Sequence, residues 1–304
     1  MASVLKDFPT EEELKRQIMH TSDVVWQPNE LSEKEINRWL KNFTGEAIGN
    51  VDEEKILALW LLNHFVFYNE QEVRHLCKLV YKDFVHTQLI SQPDGFNLPK
   101  AISDISSTFR FHYMGQPSES GSFALYYFRQ ENYLPMKYFL KFLDIEQIVD
   151  DNIIFIDDNT LTGDEDSQAH IFFSELKPKN KKRILLTFIA TKKAVESLAK
   201  INVEVISPII LDERDRCFDK NSEIFFHHKA HLKVCEKMVT HYGEKIFPQK
   251  SLGFKNAQLM YGFFYNTPDN TIPIFWCEKN GWYPIVKRYD KKQIYHFTED
   301  ERFV

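Results

Sequence analysis

The chain has 304 residues, of which 43% are hydrophobic and 27% charged, a composition typical of a soluble protein with one large or two modest domains. Its net charge of −6 excludes a protein that binds nucleic acid mainly through overall positive charge. Four widely spaced cysteines indicate buried thiols in a reducing compartment. Because the start lacks a secretion signal and no apolar run could span a bilayer, we expect a cytoplasmic protein without a membrane partner.

Residues 1–92 have the pattern of a helical module. Ser32 and Glu35 have the spacing of a capping box, and an apolar stripe follows them. Residues 56–67 are apolar on nearly every side, which indicates a central helix, and a further capping box begins at Asn69. We expect one cluster to bury the apolar stripes of these helices, with the members Trp39, Leu40, Trp60, Leu61, Phe65, Leu76, Val80 and Phe84.

Residues 93–247 alternate between strand and helix patterns, which indicates an α/β fold with a Rossmann-like parallel sheet. A helix at residues 192–200 separates the last two strands. Residues 248–304 are rich in aromatic residues and turns, and two apolar strands are expected on either side of a loop at residues 266–270, giving a β-rich extension. The strands of the α/β part are expected at residues 123–128, 153–156, 183–190 and 203–210.

The most informative segment is the apolar run at residues 153–156, which leads directly into Asp157 and Asp158. An unbroken apolar run is typical of a strand buried on both faces of a parallel sheet, and such sheets bind ligands beyond the carboxyl ends of their strands. The two carboxylates would stand at that edge, ahead of a Thr-Gly loop whose backbone N–H groups can face an anion. The alternative is an acidic turn without a ligand.

This pattern of an apolar strand, two acidic residues and a Thr-Gly loop resembles the ribose-phosphate signature of type I phosphoribosyltransferases. The resemblance implies that Asp157 and Asp158 form the catalytic pair, which binds the ribose hydroxyls of phosphoribosyl pyrophosphate (PRPP). It implies Mg²⁺ as a cofactor, bound through the pyrophosphate, and displacement at the ribose C1 as the reaction. It also implies that the 5′-phosphate is bound by Thr160, Thr162 and Gly163.

Asp164 and Glu165 depart from the signature, which usually has Ser or Thr in place of Glu165. A carboxylate about 5 Å from a phosphate would repel it by roughly 1–3 kcal/mol. Two interpretations therefore stay open: an enzyme of the glycosyltransferase class, or a non-catalytic sensor that docks on a protein or nucleic acid.

A second candidate segment is residues 118–122, where small residues permit close backbone approach and hydroxyls can donate to phosphate oxygens. By the same resemblance, a short loop near here holds the pyrophosphate, and Arg129 would be the basic residue facing it. The alternative is a flexible turn. The candidates in the loop are Ser120, Gly121 and Ser122.

The C-terminal part resembles a subgroup of phosphoribosyltransferase-like proteins of bacterial conflict systems, often encoded with antiviral systems such as retrons. The resemblance rests on Leu252-Gly-Phe254, Asn266-Thr-Pro-Asp-Asn-Thr271 and Pro273-Ile-Phe-Trp276, together with the acidic signature, and covers roughly residues 30–290. It implies a toxin or effector role in antiviral defence, with a defence-system protein or nucleic acid as partner. The acceptor of the ribose phosphate is left open.

Two further patterns are weaker. His227, His231 and Cys235 are spaced four apart, which suits metal ligands on one helical face, but we favour an ordinary helix and assign no metal ligand. A basic segment precedes the strand at residue 183, and it predicts either a solvated loop or a contact for nucleic acid or an acidic partner. Its members are Lys177, Lys179, Lys181, Lys182 and Arg183.

Overall fold

The computed structural model describes these parts of the chain: residues 5, 8–90, 109–115, 119–140, 153–165, 167–175 and 183–289. Their α-helices are α1 Glu11–Val25, α2 Glu33–Leu40, α3 Val51–Asn63, α4 Glu70–Ile90, α5 Ser120–Glu131, α6 Gln168–Glu175, α7 Lys192–Ala199 and α8 Lys229–Ile246. Their strands are β1 Val66–Tyr68, β2 Arg110–Tyr113, β3 Ile153–Thr160, β4 Arg183–Thr191, β5 Val203–Ile206, β6 Ile209–Leu211 and β7 Tyr261–Phe263. Within these ranges, no helix has the length and apolar character needed to cross a membrane.

The fold is α/β, with a parallel main sheet in the order β2-β3-β4-β5, and β6 also pairs with β4. The expected strands at residues 153–156 and 183–190 are confirmed, as is the helix between β4 and β5. The strand expected at residues 203–210 is interrupted, because Pro208 has no N–H to donate to a neighbouring strand. β5 and β6 therefore occupy successive stretches along the same edge of β4.

The strand order reverses between β2 and β3. On the edge of β2 away from β3, Phe139 forms a parallel bridge with Phe111. The chain thus leaves β2, passes through α5, returns on one side of β2, and then places β3 on the other side. In open parallel sheets, such a reversal opens a crevice at the carboxyl ends of the strands, where ligands bind.

The segment expected to be a strand at residues 123–128 lies in helix α5, so that expectation was wrong. A short apolar run cannot be assigned to strand or helix by periodicity alone. The buried residues have helical spacing, and α5 packs against α4 on one side and β3 on the other. The buried members are Gly121, Ala124, Tyr127 and Phe128.

We expected the helices of the N-terminal part to share one hydrophobic cluster, and this expectation was wrong. Trp39, Leu40, Leu61 and Phe65 lie in a first cluster, against which Trp60 packs partly buried. The apolar stripe of α4 lies in a second cluster instead, formed with α5 and one face of the main sheet. That second cluster includes Leu76, Val80 and Phe84.

The first cluster joins α1, α2 and α3 to residues far along the chain. The Trp39 ring stacks on Phe275 with centroids 5.8 Å apart, and its Nε1 donates to the Ile274 carbonyl oxygen at 2.9 Å, across 235 positions of sequence. β1 pairs in parallel with β7. Both clusters cross the boundaries expected at residues 92 and 247, and the division into residues 1–92, 93–247 and 248–304 stays a prediction.

Some of the short-range sequence expectations are confirmed and others are wrong. Both capping boxes are present, at Ser32 and at Asn69, and all four cysteines are buried and outside any disulfide. The apolar run at residues 56–67 is not one helix, since α3 ends at Asn63 and the run continues into β1. In the C-terminal part, β7 is the first of the two expected strands, but the second is replaced by turns at residues 273–276.

Candidate functional site

Asp157 and Asp158 lie where the strand order reverses between β2 and β3, the point at which a ligand crevice is expected. The pairing of β3 with β2 ends where Ile156 lies opposite Tyr113, while the pairing with β4 continues to Thr160. The two aspartates are thus the first residues of β3 beyond β2. The expected position at the carboxyl end of a central strand is confirmed, although the acids belong to the strand and not to a following turn.

Asp158 is buried and surrounded by donors. It is 4% exposed, its Oδ1 accepts from Asn159 Nδ2 at 2.7 Å, and its Oδ2 accepts from the Tyr265 hydroxyl at 3.1 Å. The Ser120 hydroxyl also donates to this carboxylate. Burial raises the pKa of Asp158, although the hydrogen bonds act in the opposite direction.

Asp157 is the more exposed member of the pair. Its Oδ1 accepts the backbone N–H of Asp158 at 2.9 Å. The pKa of Asp157 is raised well above its usual range, mainly because burial removes water from its carboxylate. The neighbouring charge of Asp158, and less strongly that of Glu119, add to this rise. A hydrogen bond also joins the two carboxyl groups.

The first turn of α5 packs directly on the aspartates. A Cβ atom at Gly121 would lie 2.4 Å from the Met114 carbonyl oxygen and 3.3 Å from Asp157 Oδ1, so glycine permits this close approach. Ser120 and Ser122 belong to the same turn, at the helix end that favours anions. The structure therefore brings the three small candidates and the two acids together.

Arg129 is not brought to this crevice. It lies in the last turn of α5, nine residues after Ser120, which corresponds to about 13 Å along the helix. The expectation that it follows the small residues by one strand length was wrong because the segment is helical.

The loop after β3 is held against α7. The Thr191 hydroxyl donates to the Leu161 carbonyl oxygen at 2.7 Å, and the Ser197 hydroxyl donates to that of Gly163 at 2.6 Å. Gly163 has a φ of +59°, and a Cβ there would lie 2.6 Å from Ala194 Cα. Thr162 lies in this loop, which follows β3 at residues 161–165, whereas Thr160 is the last residue of β3.

Two contacts offset the acidic character of this region. Asp164 forms an ion pair with Lys193 at 2.8 Å, so its charge is partly balanced. Gln168, the first residue of α6, donates from Nε2 to Glu119 Oε2 at 3.0 Å and so connects the loop after β3 to the start of α5. Glu119 and Gln168 both lie against Gly115, the glycine after β2.

Sequence reasoning missed Tyr265 at this site, while Tyr261 lies near it without a hydrogen bond to either acid among the described residues. Tyr265 donates to Asp158 across 107 positions of sequence, and the charge of Asp158 also acts on Tyr261. No spacing rule joins residues so far apart, and the only signal was the unusual density of aromatic residues around Tyr265.

The remaining candidates lie elsewhere. Among the residues that the structure describes, no group of three or more His, Cys, Asp or Glu side chains could hold a metal ion. His227 precedes α8, while His231 and Cys235 are buried on that helix, so the three do not share one helical face.

Arg183 is buried and donates to the Phe173 carbonyl oxygen, so it is not part of a solvated basic loop. The four lysines of that segment lie outside the described residues.

A family model described as PRTase-CE matches residues 36–288. Comparison with the curated proteins and with the solved structures gave no match. Since the family match spans far more than half of the 304 residues, and the parallel sheet has the Rossmann-like arrangement described above, the chain belongs to the PRTase-CE family and is a phosphoribosyltransferase-like protein.

Proposed function

We propose that this protein binds PRPP or a related ribose phosphate at the crevice between β2 and β3, as a phosphoribosyltransferase-like effector of bacterial antiviral defence. The observation that carries the proposal is the position of Asp157 and Asp158. They stand beyond the end of β2, the first turn of α5 packs against them, and the loop at residues 161–165 directly follows their strand. The defence role rests on the resemblance of the C-terminal motifs alone.

Each part of the ligand has a counterpart in the crevice. The aspartate pair accepts hydrogen bonds from the ribose hydroxyls, and the loop with Thr162 and Gly163 binds the 5′-phosphate. The first turn of α5, with Ser120, Gly121 and Ser122, receives the pyrophosphate, since N–H groups at a helix start favour anions.

The donor chemistry fits Mg²⁺, which prefers oxygen ligands and keeps several waters. The pyrophosphate oxygens of the ligand would bind the metal, and water would complete its coordination. When bound, Mg²⁺ would neutralise charge on the pyrophosphate.

The proposed reaction breaks the bond between the ribose C1 and the pyrophosphate oxygen and forms a bond from C1 to an acceptor nucleophile. Positive charge develops at C1, and the carboxylates of the aspartate pair stabilise it. The protein supplies position and charge and no covalent nucleophile.

A non-catalytic sensor or interaction module is the second candidate. It is favoured by Asp164 and Glu165, which place carboxyl groups in the proposed phosphate loop, although Lys193 forms an ion pair with Asp164. Such a module would bind the ligand without releasing pyrophosphate and would dock on a protein or nucleic acid.

The test is a calorimetric titration with PRPP, with and without Mg²⁺, followed by an assay for pyrophosphate release. Binding without release favours the sensor. Replacing both Asp157 and Asp158 by Asn should weaken binding about a hundredfold or more, since each lost bond to a charged acceptor is worth roughly 1.5–3 kcal/mol. The matched control is Asp23→Asn, at an exposed position of α1. A double variant that stays folded and binds PRPP normally would place the site elsewhere, and one that melts early would show a structural pair.

A further inference from the structure

Aromatic neighbours hold the ring of Tyr265 in an orientation that directs its hydroxyl at Asp158. Its ring is stacked on Phe263 at an interplanar angle of 3° with centroids 5.3 Å apart, and it lies 4.6 Å from the Phe123 ring. The Phe264 ring meets it nearly edge-on at 5.2 Å. Aromatic contacts on several sides leave the ring little freedom, so the 3.1 Å hydrogen bond to Asp158 is a preorganised contact.

Tyr261 provides a comparison within the same segment. It is 4% exposed, and its hydroxyl is buried without a hydrogen-bond partner in the described parts of the chain. Burial, together with the charge of Asp158, raises the pKa of Tyr261. Two tyrosines four residues apart thus face the same acid, and only Tyr265 donates to it.

The hydrogen bonds are unevenly divided between the two acids. A carboxylate offers about four acceptor positions. Asp158 accepts hydrogen bonds from Tyr265, from Ser120 and from both the side chain and the backbone N–H of Asn159, and it is almost fully buried. Asp157 is the more exposed of the two, and its Oδ1 accepts a backbone N–H.

We propose that Tyr265 is a positioning residue, whose hydroxyl fixes Asp158 against the sheet edge so that Asp157 is the carboxyl that meets the ribose hydroxyls. This inference rests on the proposed ribose-phosphate site and gives its two acids different roles. It also makes the C-terminal segment around β7 part of the site. Because β7 pairs with β1, the position of Tyr265 depends on the N-terminal part of the chain as well.

The test compares Tyr265→Phe with Tyr261→Phe, since each variant loses only a hydroxyl from the same segment. Tyr265→Phe should weaken PRPP binding about 10- to 100-fold, as expected for the loss of a bond to a charged group. The Tyr265 hydroxyl lowers the pKa of Asp158, so the fall in affinity towards acid pH should also begin at a higher pH in this variant. Tyr261→Phe should leave affinity and pH profile unchanged. The inference would be overturned if Tyr265→Phe and Tyr261→Phe had the same PRPP affinity and the same pH profile.

A ligand-free measurement separates this inference from the proposed function. Carboxyl ¹³C resonances of the aspartate pair, assigned with the two Asn variants, should show a raised pKa of Asp158 in Tyr265→Phe and no change in Tyr261→Phe. Wild-type protein that does not bind PRPP refutes the proposed function, whereas an unchanged carboxyl titration refutes the role of Tyr265 alone. Thermal melting checks that both variants fold. Should Tyr265→Phe unfold, Ser120→Ala removes another donor to Asp158 and must raise the same pKa.

Discussion

Replacing Gly163 by Ala should destabilise the protein and weaken phosphate binding at the same time. The φ of +59° costs an L-residue about 1–2 kcal/mol. The added Cβ would lie 2.6 Å from Ala194 Cα and 2.9 Å from its carbonyl oxygen, and such overpacking costs about 1–3 kcal/mol. Helix α7 cannot simply move away, because Thr191 and Ser197 bond to the same loop. The sum is about 2–5 kcal/mol.

The assay is thermal or urea denaturation, and the matched control is Gly49→Ala. Gly49 has a φ of +84°, but no atom lies within 4 Å of a Cβ built there. The control therefore carries only the backbone cost, about 1–2 kcal/mol. The difference between the variants measures how tightly the loop packs on α7, and PRPP titration shows whether displacing the loop weakens binding.

Two results would refute this reasoning. Equal losses of stability in the two variants would mean that the loop at residues 161–165 does not pack against Ala194. A Gly163→Ala variant that is destabilised as expected but binds PRPP with unchanged affinity would mean that the loop does not bind the 5′-phosphate.

Three further outcomes are expected. The pKa of Asp157 is raised in the folded state, so its stabilising contribution is present below the usual value of 3.8 and is lost as pH rises through the folded pKa. Asp157→Asn should therefore raise Tm at neutral pH and have no such effect near pH 3, in melting curves recorded across pH. Lys193→Ala should change stability by less than about 1 kcal/mol, since exposed ion pairs contribute little, but should lower PRPP affinity several-fold at low salt because the Asp164 charge is then unbalanced. Glu54→Ala should cost roughly 3 kcal/mol or more in urea denaturation, because the buried carboxylate accepts three backbone N–H groups and the Tyr242 hydroxyl.

The sequence was sufficient where short-range physics decides the structure. An unbroken apolar run identified β3, and its acidic end located the crevice, because burial on both faces leaves few other interpretations. Capping side chains act within four residues, so the starts of α2 and α4 were also predictable.

It was insufficient where tertiary contacts decide. The apolar stretch after Gly121 fits strand and helix equally well, and its packing between α4 and β3 selects the helix. The donor from Tyr265 to Asp158 has no local signature, since 107 positions separate the residues. The balance of the Asp164 charge by Lys193 likewise depends on how the loop meets α7.

The packing of Trp39 on Phe275 has a consequence for synthesis on the ribosome. The partners are made about 235 residues apart, which at roughly 5–20 residues per second is about 12–47 s. Throughout that interval, the apolar faces of α2 and α3 have no native partner from the C-terminal part. Apolar surface that stays exposed for that long favours aggregation, and a product that stops before β7 would keep those faces exposed.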